Sequence, residues 1–170
     1  MKVDTSNLAS KREIEAKEIF YTHIVGLAQE SLVHDGKLAP MVFIFVDGDE
    51  NDKVGIVPMP SAMFMESEDK KEMLAEILRE MAGKVDVLAI AMFSEAWMTK
   101  VNTETGNSEE KVEICFYSFE SENIACMQTD EIVRGDDKAI TLKKGEVTNA
   151  DSMEGKFVGF LKDLKKIKNN

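Results

Sequence analysis

Cysteine, histidine, tryptophan and proline are all scarce in this chain of 170 residues, with two, two, one and three respectively. Cys115 and Cys126 alone build no disulfide framework of the secreted kind, cannot complete a tetrahedral zinc site, and form no Cys-x-x-Cys redox pair. The chain is also short of positive charge. A formal net charge of −11 disfavours nucleic acid as a partner, because neutralising phosphates with Lys and Arg supplies most of that affinity. No apolar run approaches the roughly 20 residues of a membrane span. Residues 1–11 are polar and carry nothing like a signal peptide, so the expected setting is reducing and cytoplasmic, with no membrane partner.

Recognisable catalytic patterns are missing as well. There is no Gly-x-Gly-x-x-Gly, no Gly-Lys-Ser/Thr phosphate loop, no Gly-x-Ser-x-Gly and no His-Glu-x-x-His. Gly155-Lys156 falls in an expected helix and lacks the following Ser or Thr. Familiar routes to nucleotide, hydrolase and metalloprotease chemistry are therefore unsupported, no cofactor is implied, and the reading leans away from an enzyme.

What remains is ordinary for a globular chain, with 44% apolar and 31% charged residues. The length suits one domain spanning 1–170, with residues 1–9 as a tail. Charge is uneven, since residues 138–170 carry a net of +4 and residues 1–137 a net of −15.

Ser10 followed by Glu13 is a capping-box signature for a helix running to about residue 33, with Ile14, Phe20, Ile24, Leu27 and Leu32 as its apolar stripe. Residues 41–46 and 53–58 read as a hairpin. Ser67 caps a second helix over residues 68–81, whose inward face holds Met73, Leu74, Ile77, Leu78 and Met81, with Gly83 expected just past its end. Residues 85–98 form the longest weakly charged run and the expected central strand. A polar loop over 99–110, a hairpin of 111–119 with 123–133, and a short strand at 139–143 follow. Asp151 and Glu154 open a third helix, with Met153, Phe157, Phe160, Leu161, Leu164 and Ile167 at helical spacing. The expected fold is α+β, a mainly antiparallel sheet of about five or six strands with three principal helices packed on it. The sheet becomes mixed if the crossover through residues 68–81 adds a parallel neighbour.

Several constellations carry chemistry in other proteins. Asp47, Asp49 and Asn51 place oxygens at alternate positions, like the opening of a calcium loop. The sixth position is Asp52 rather than Gly, the twelfth is Pro58 rather than Glu, and strands flank it, so an exposed hairpin loop is the favoured reading. His23 and His34-Asp35 are metal-ligand types, but eleven helical residues place the two imidazoles about 16 Å apart along the axis. No metal site is expected.

Glu68, Glu72, Glu76 and Glu80 recur at four-residue spacing and form a like-charged helix row, a solvated face or a contact for a basic protein partner. At the end of the central run, period-two geometry puts Phe93, Glu95 and Trp97 on one sheet face. A carboxylate between two aromatics is the least generic feature of the chain, which makes Glu95 and Trp97 the ligand-binding candidates; the alternative is a strand simply leaving the core. This Ser94-Glu95-Ala96-Trp97 end resembles small uncharacterised bacterial and phage-associated proteins in which an apolar strand closes in a similar Ser-Glu-Ala-Trp sequence, over residues 73–119. The resemblance implies a mobile-element or accessory protein and brings no activity or catalytic residue with it.

The expectation is thus a non-catalytic binding or accessory protein, engaging a protein partner or a second copy of itself. The rival is a small enzyme or ligand-binding domain using Glu95 and Trp97.

Overall fold

Ser10 opens the first helix as its sequence foretold: the hydroxyl accepts from Glu13 N, and the Glu13 carboxylate accepts from Ser10 N. The computed structural model describes residues 10–47, 53–84 and 86–149. The expected tail at 1–9, most of the calcium-like loop and the expected third helix lie outside the described residues.

Helix α1 (Lys11–Ile19) runs through a π-helical turn (Phe20–Ile24) into α2 (Val25–Asp35). In that turn Val25 N donates to Phe20 O, five residues back, so one extra residue enters the spiral. The buried stripe is therefore Glu13, Ala16, Phe20, then Val25, Ala28, Gln29 and Leu32. The slip corrects the regular stripe after the turn, so that Leu27 points to solvent at 67% exposure; Ile14, ahead of the turn, is exposed as well. Gly36 stops the helix in the left-handed conformation, φ 78°, where a side chain is disfavoured.

The sheet is antiparallel throughout, with seven strands among the described residues: β1 (Met41–Asp47), β2 (Val54–Pro60), β3 (Val87–Val101), β4 (Ser108–Ser121), β5 (Ala125–Arg134), β6 (Ile140–Lys143) and β7 (Thr148–Asn149). Their order is β2-β1-β3-β4-β5-β6, with β7 also against β5. Helix α3 (Glu68–Lys84) carries the chain from β2 to β3. Because β3 lands beside β1 and antiparallel to it, no parallel neighbour arises, which removes the mixed-sheet option. α3 continues through Gly83 instead of ending before it. Its inward residues are Leu74, Ala75, Leu78 and Ala82, while Met73 is exposed. The expected loop at 99–110 is also shorter than its composition suggests. β3 and β4 extend until only residues 102–107 turn the hairpin, held by Asn102 Oδ1 accepting from Glu104 N and by Gly106 in the left-handed region.

Two cores lie on opposite faces of the sheet. On one, the α1–α2 helix packs Phe20, Val25 and Leu32 on Phe43, Phe45, Phe93, Tyr117 and Phe119. On the other, α3 covers Val42, Ile44, Ile90 and Met92. β1 and β3 are therefore buried on both sides, and this explains why they read as continuous apolar runs whereas β5 alternates. Two principal helical bodies serve the described residues where three were expected for the whole chain.

Candidate functional site

β3 leaves the core in steps of two. Phe93 is 6% exposed, packed 5.5 Å from Phe43 between ring centroids, Glu95 is half-buried, and Trp97 is 69% exposed. The cause is register: β1 begins opposite Phe93, at Met41, so β3 beyond that residue has no ladder partner on its outer side among the described residues. Met98 and Val101 are exposed on the same segment.

The polar groups around this exit are engaged with one another. Glu95 Oε1 accepts the backbone N–H of Leu38 at 3.0 Å, so the carboxylate fastens the linker after α2 to the sheet. Opposite Trp97 stands Glu113 on β4. Arg134 on β5 meets Glu113 with two bonds, Nε to Oε2 at 2.9 Å and Nη2 to Oε1 at 2.5 Å, and its Nη1 donates to Gly36 O at 2.9 Å. The guanidinium thus joins the helix C-terminus to β4, where the dipole favours a cation. The Arg134 hydrogen bonds hold the Glu113 carboxyl below the usual carboxylate range. Sequence reasoning missed this pair because 21 residues separate its members and neither belongs to a motif.

Deeper on the same face lies a second polar group. Asp130, fully buried, accepts from Gln29 Nε2 at 2.6 Å, Gln128 Nε2 at 2.9 Å and Gly145 N at 3.0 Å. Each donor comes from a different stretch of chain: α2, β5 itself and the segment after β6. Cys115 lies directly across the ladder from Asp130 and from Glu95. Burial, with the nearby Asp130 and Glu95 charges, pushes its thiol up to about 12, so it is neutral and unreactive at physiological pH. Burial also raises the Tyr117 hydroxyl, whose oxygen lies beside Cys115 and Asp130 without a hydrogen-bond partner in good geometry among the described residues. The alternation Cys126, Gln128, Asp130, Ile132 was a legible signal that β5 turns polar residues inward.

A third knot closes the other end of the helix. Glu13 is 4% exposed, and its carboxylate also accepts from Ser121 Oγ at 2.7 Å and Asn123 N at 2.9 Å. Burial alone would raise its pKa, but the bonds from Ser10, Ser121 and Asn123 outweigh that and lower it.

The acidic row lies elsewhere. Glu68, Glu72, Glu76 and Glu80 are exposed along α3, which packs on the opposite face of the sheet from the α1–α2 helix, and Lys71 Nζ reaches Glu68 at 3.0 Å. The structure does not bring that row to the Glu95 and Trp97 region. His23 is exposed, His34 pairs with the adjacent Asp35 at 2.8 Å, and Arg12 pairs with Asp47. Among the described residues no group of three or more His, Cys, Asp or Glu is placed to hold a metal ion, and no helix is long and apolar enough to cross a membrane. In comparisons with protein families, curated proteins and solved structures, nothing matches the chain.

Proposed function

We propose that this chain is a non-catalytic binding or accessory protein whose contact element is the outer half of β3 around Trp97. The observation that supports this reading is a large indole at 69% exposure on a strand segment with no outer ladder partner among the described residues, flanked by exposed Met98 and Val101. Folding gains little from leaving a Trp in water, whereas Trp is the residue type most enriched among interface hot spots. An edge of this kind takes an extended segment by main-chain hydrogen bonds, with alternate side chains supplying selectivity. Glu95 and the Glu113–Arg134 pair then act as the polar frame that holds this element in place.

Trp97 is the only Trp in the chain, so its emission reports the site directly. In dilute solution the emission is that of a water-exposed indole, and engagement of a partner strand or of a second copy shifts it to the blue and shields it from a soluble quencher. Wild type and Trp97→Ala are compared by affinity capture from a lysate of the source cells, with light scattering for self-association. A partner or dimer kept by wild type and lost by the variant carries the reading. Equal recovery by both, or a monomer with no partner, sinks it. The Glu68, Glu72, Glu76, Glu80 row provides a separate, salt-sensitive contact for a basic partner, and an association unmoved by added salt rules it out.

A further inference from the structure

After β6 the chain stays beside β5 without remaining a strand. β6 pairs with Glu131–Arg134, and pairing resumes only at Thr148 and Asn149, opposite Met127 and Cys126. Residues 144–147 between them are exposed and have no ladder partner, so residues 128–130 of β5 have no strand on their outer side among the described residues.

Three kinds of fastening hold the segment among the described residues. Gly145 N donates to the buried Asp130 carboxylate at 3.0 Å, Thr148 Oγ1 donates to Met127 O at 3.4 Å, and β7 adds two ladder positions. The approach at Gly145 is too close for any side chain, since a Cβ there would meet Thr129 O at 2.2 Å.

We propose that residues 144–149 form a detachable strap over the edge of β5, latched by Asp130 through Gly145. The strap's residues are themselves exposed and bury little apolar surface of their own, so its opening free energy lies below that of the β3–β4 ladder. Asp130 is the latch because the same carboxylate is held from within by Gln29 and Gln128, and this fixes its aim whether the strap is on or off. Opening leaves β5 backbone groups facing water, the form in which a sheet accepts an incoming strand. This site is separate from the Trp97 edge and does not depend on the function proposed for it.

Hydrogen exchange resolved by peptide tests the proposal in the full chain. In wild type, amides of residues 144–149 exchange through a local opening that leaves β3 and β4 protected. Gly145→Ala speeds exchange in 144–149 by roughly tenfold or more and also raises it in 125–130, with β3–β4 unchanged. Exchange of the strap at the same rate as β3–β4 in wild type overturns the proposal, and so does a Gly145→Ala protein whose strap exchanges as in wild type. Should the variant fail to fold, the wild-type comparison decides alone.

Discussion

Glu13 shows how one side chain serves two scales of structure. Its carboxylate closes the capping box locally and, 108 residues away, fastens the turn between β4 and β5 through Ser121 and Asn123. Glu13→Gln keeps the shape but turns one acceptor into a donor facing other donors, and is expected to cost about 1–3 kcal/mol in urea unfolding at pH 7. Its native pKa is lowered, so the stability it confers is complete above the unfolded value and is lost as pH falls through the native one. The gap between wild type and Glu13→Gln should therefore shrink in acid, and a gap that widened there would contradict the assignment. Tyr117 gives the opposite case. Its buried hydroxyl has no well-placed partner among the described residues, so Tyr117→Phe should change stability by less than about 1 kcal/mol. Only the capping half of Glu13 was legible in sequence, because a local spacing specifies it. Its distant partners, like the Glu113–Arg134 pair, depend on which strands become neighbours.

At the scale of the element, β3 contains the contrast that organises the molecule. Phe93 and Trp97 share a face four residues apart, one in a double-sided core and the other in water. Phe93→Ala should cost about 3–5 kcal/mol by chemical denaturation, while Trp97→Ala should stay within about 0.5 kcal/mol. A large loss at Trp97 would mean that the indole packs on its own chain and is no partner surface. The continuous apolar runs of β1 and β3 were readable because burial on both faces removes alternation. The inward face of the first helix was not, because the π turn at Phe20–Ile24 adds one residue and shifts the phase of everything after it. Regular periodicity had placed Leu27 inside for that reason. The end of α3 was misplaced by a similar over-reading, since a glycine costs a helix only about 1 kcal/mol and α3 runs through Gly83 to Lys84. The candidate site divides in the same way. Glu95 and Trp97 were visible as a break in an apolar run, but the unpartnered edge that gives Trp97 its interest follows from β1 being shorter than β3.

For the whole molecule, the net charge of −11 implies self-repulsion in the folded state. Added salt should raise the thermal midpoint as ionic strength climbs to about 0.15 M, where the screening length falls to roughly 8 Å. A midpoint that drops over this range would show that attractive pairs such as Arg134–Glu113 outweigh the repulsion. The long reach of the first helix has a consequence in time. Gln29 finds Asp130 101 residues later, and Glu13 finds Ser121 108 residues later. A ribosome adding about 5–20 residues per second makes these partners roughly 5–20 s after the helix itself. This helix, made before every strand among the described residues, is thus among the last elements to be fully seated. Until β4 and β5 emerge, Phe20, Val25 and Leu32 have only the β1 and β3 part of the sheet to pack on, and the exposed Lys11, Glu15, Glu18 and Glu30 must keep the waiting helix in solution.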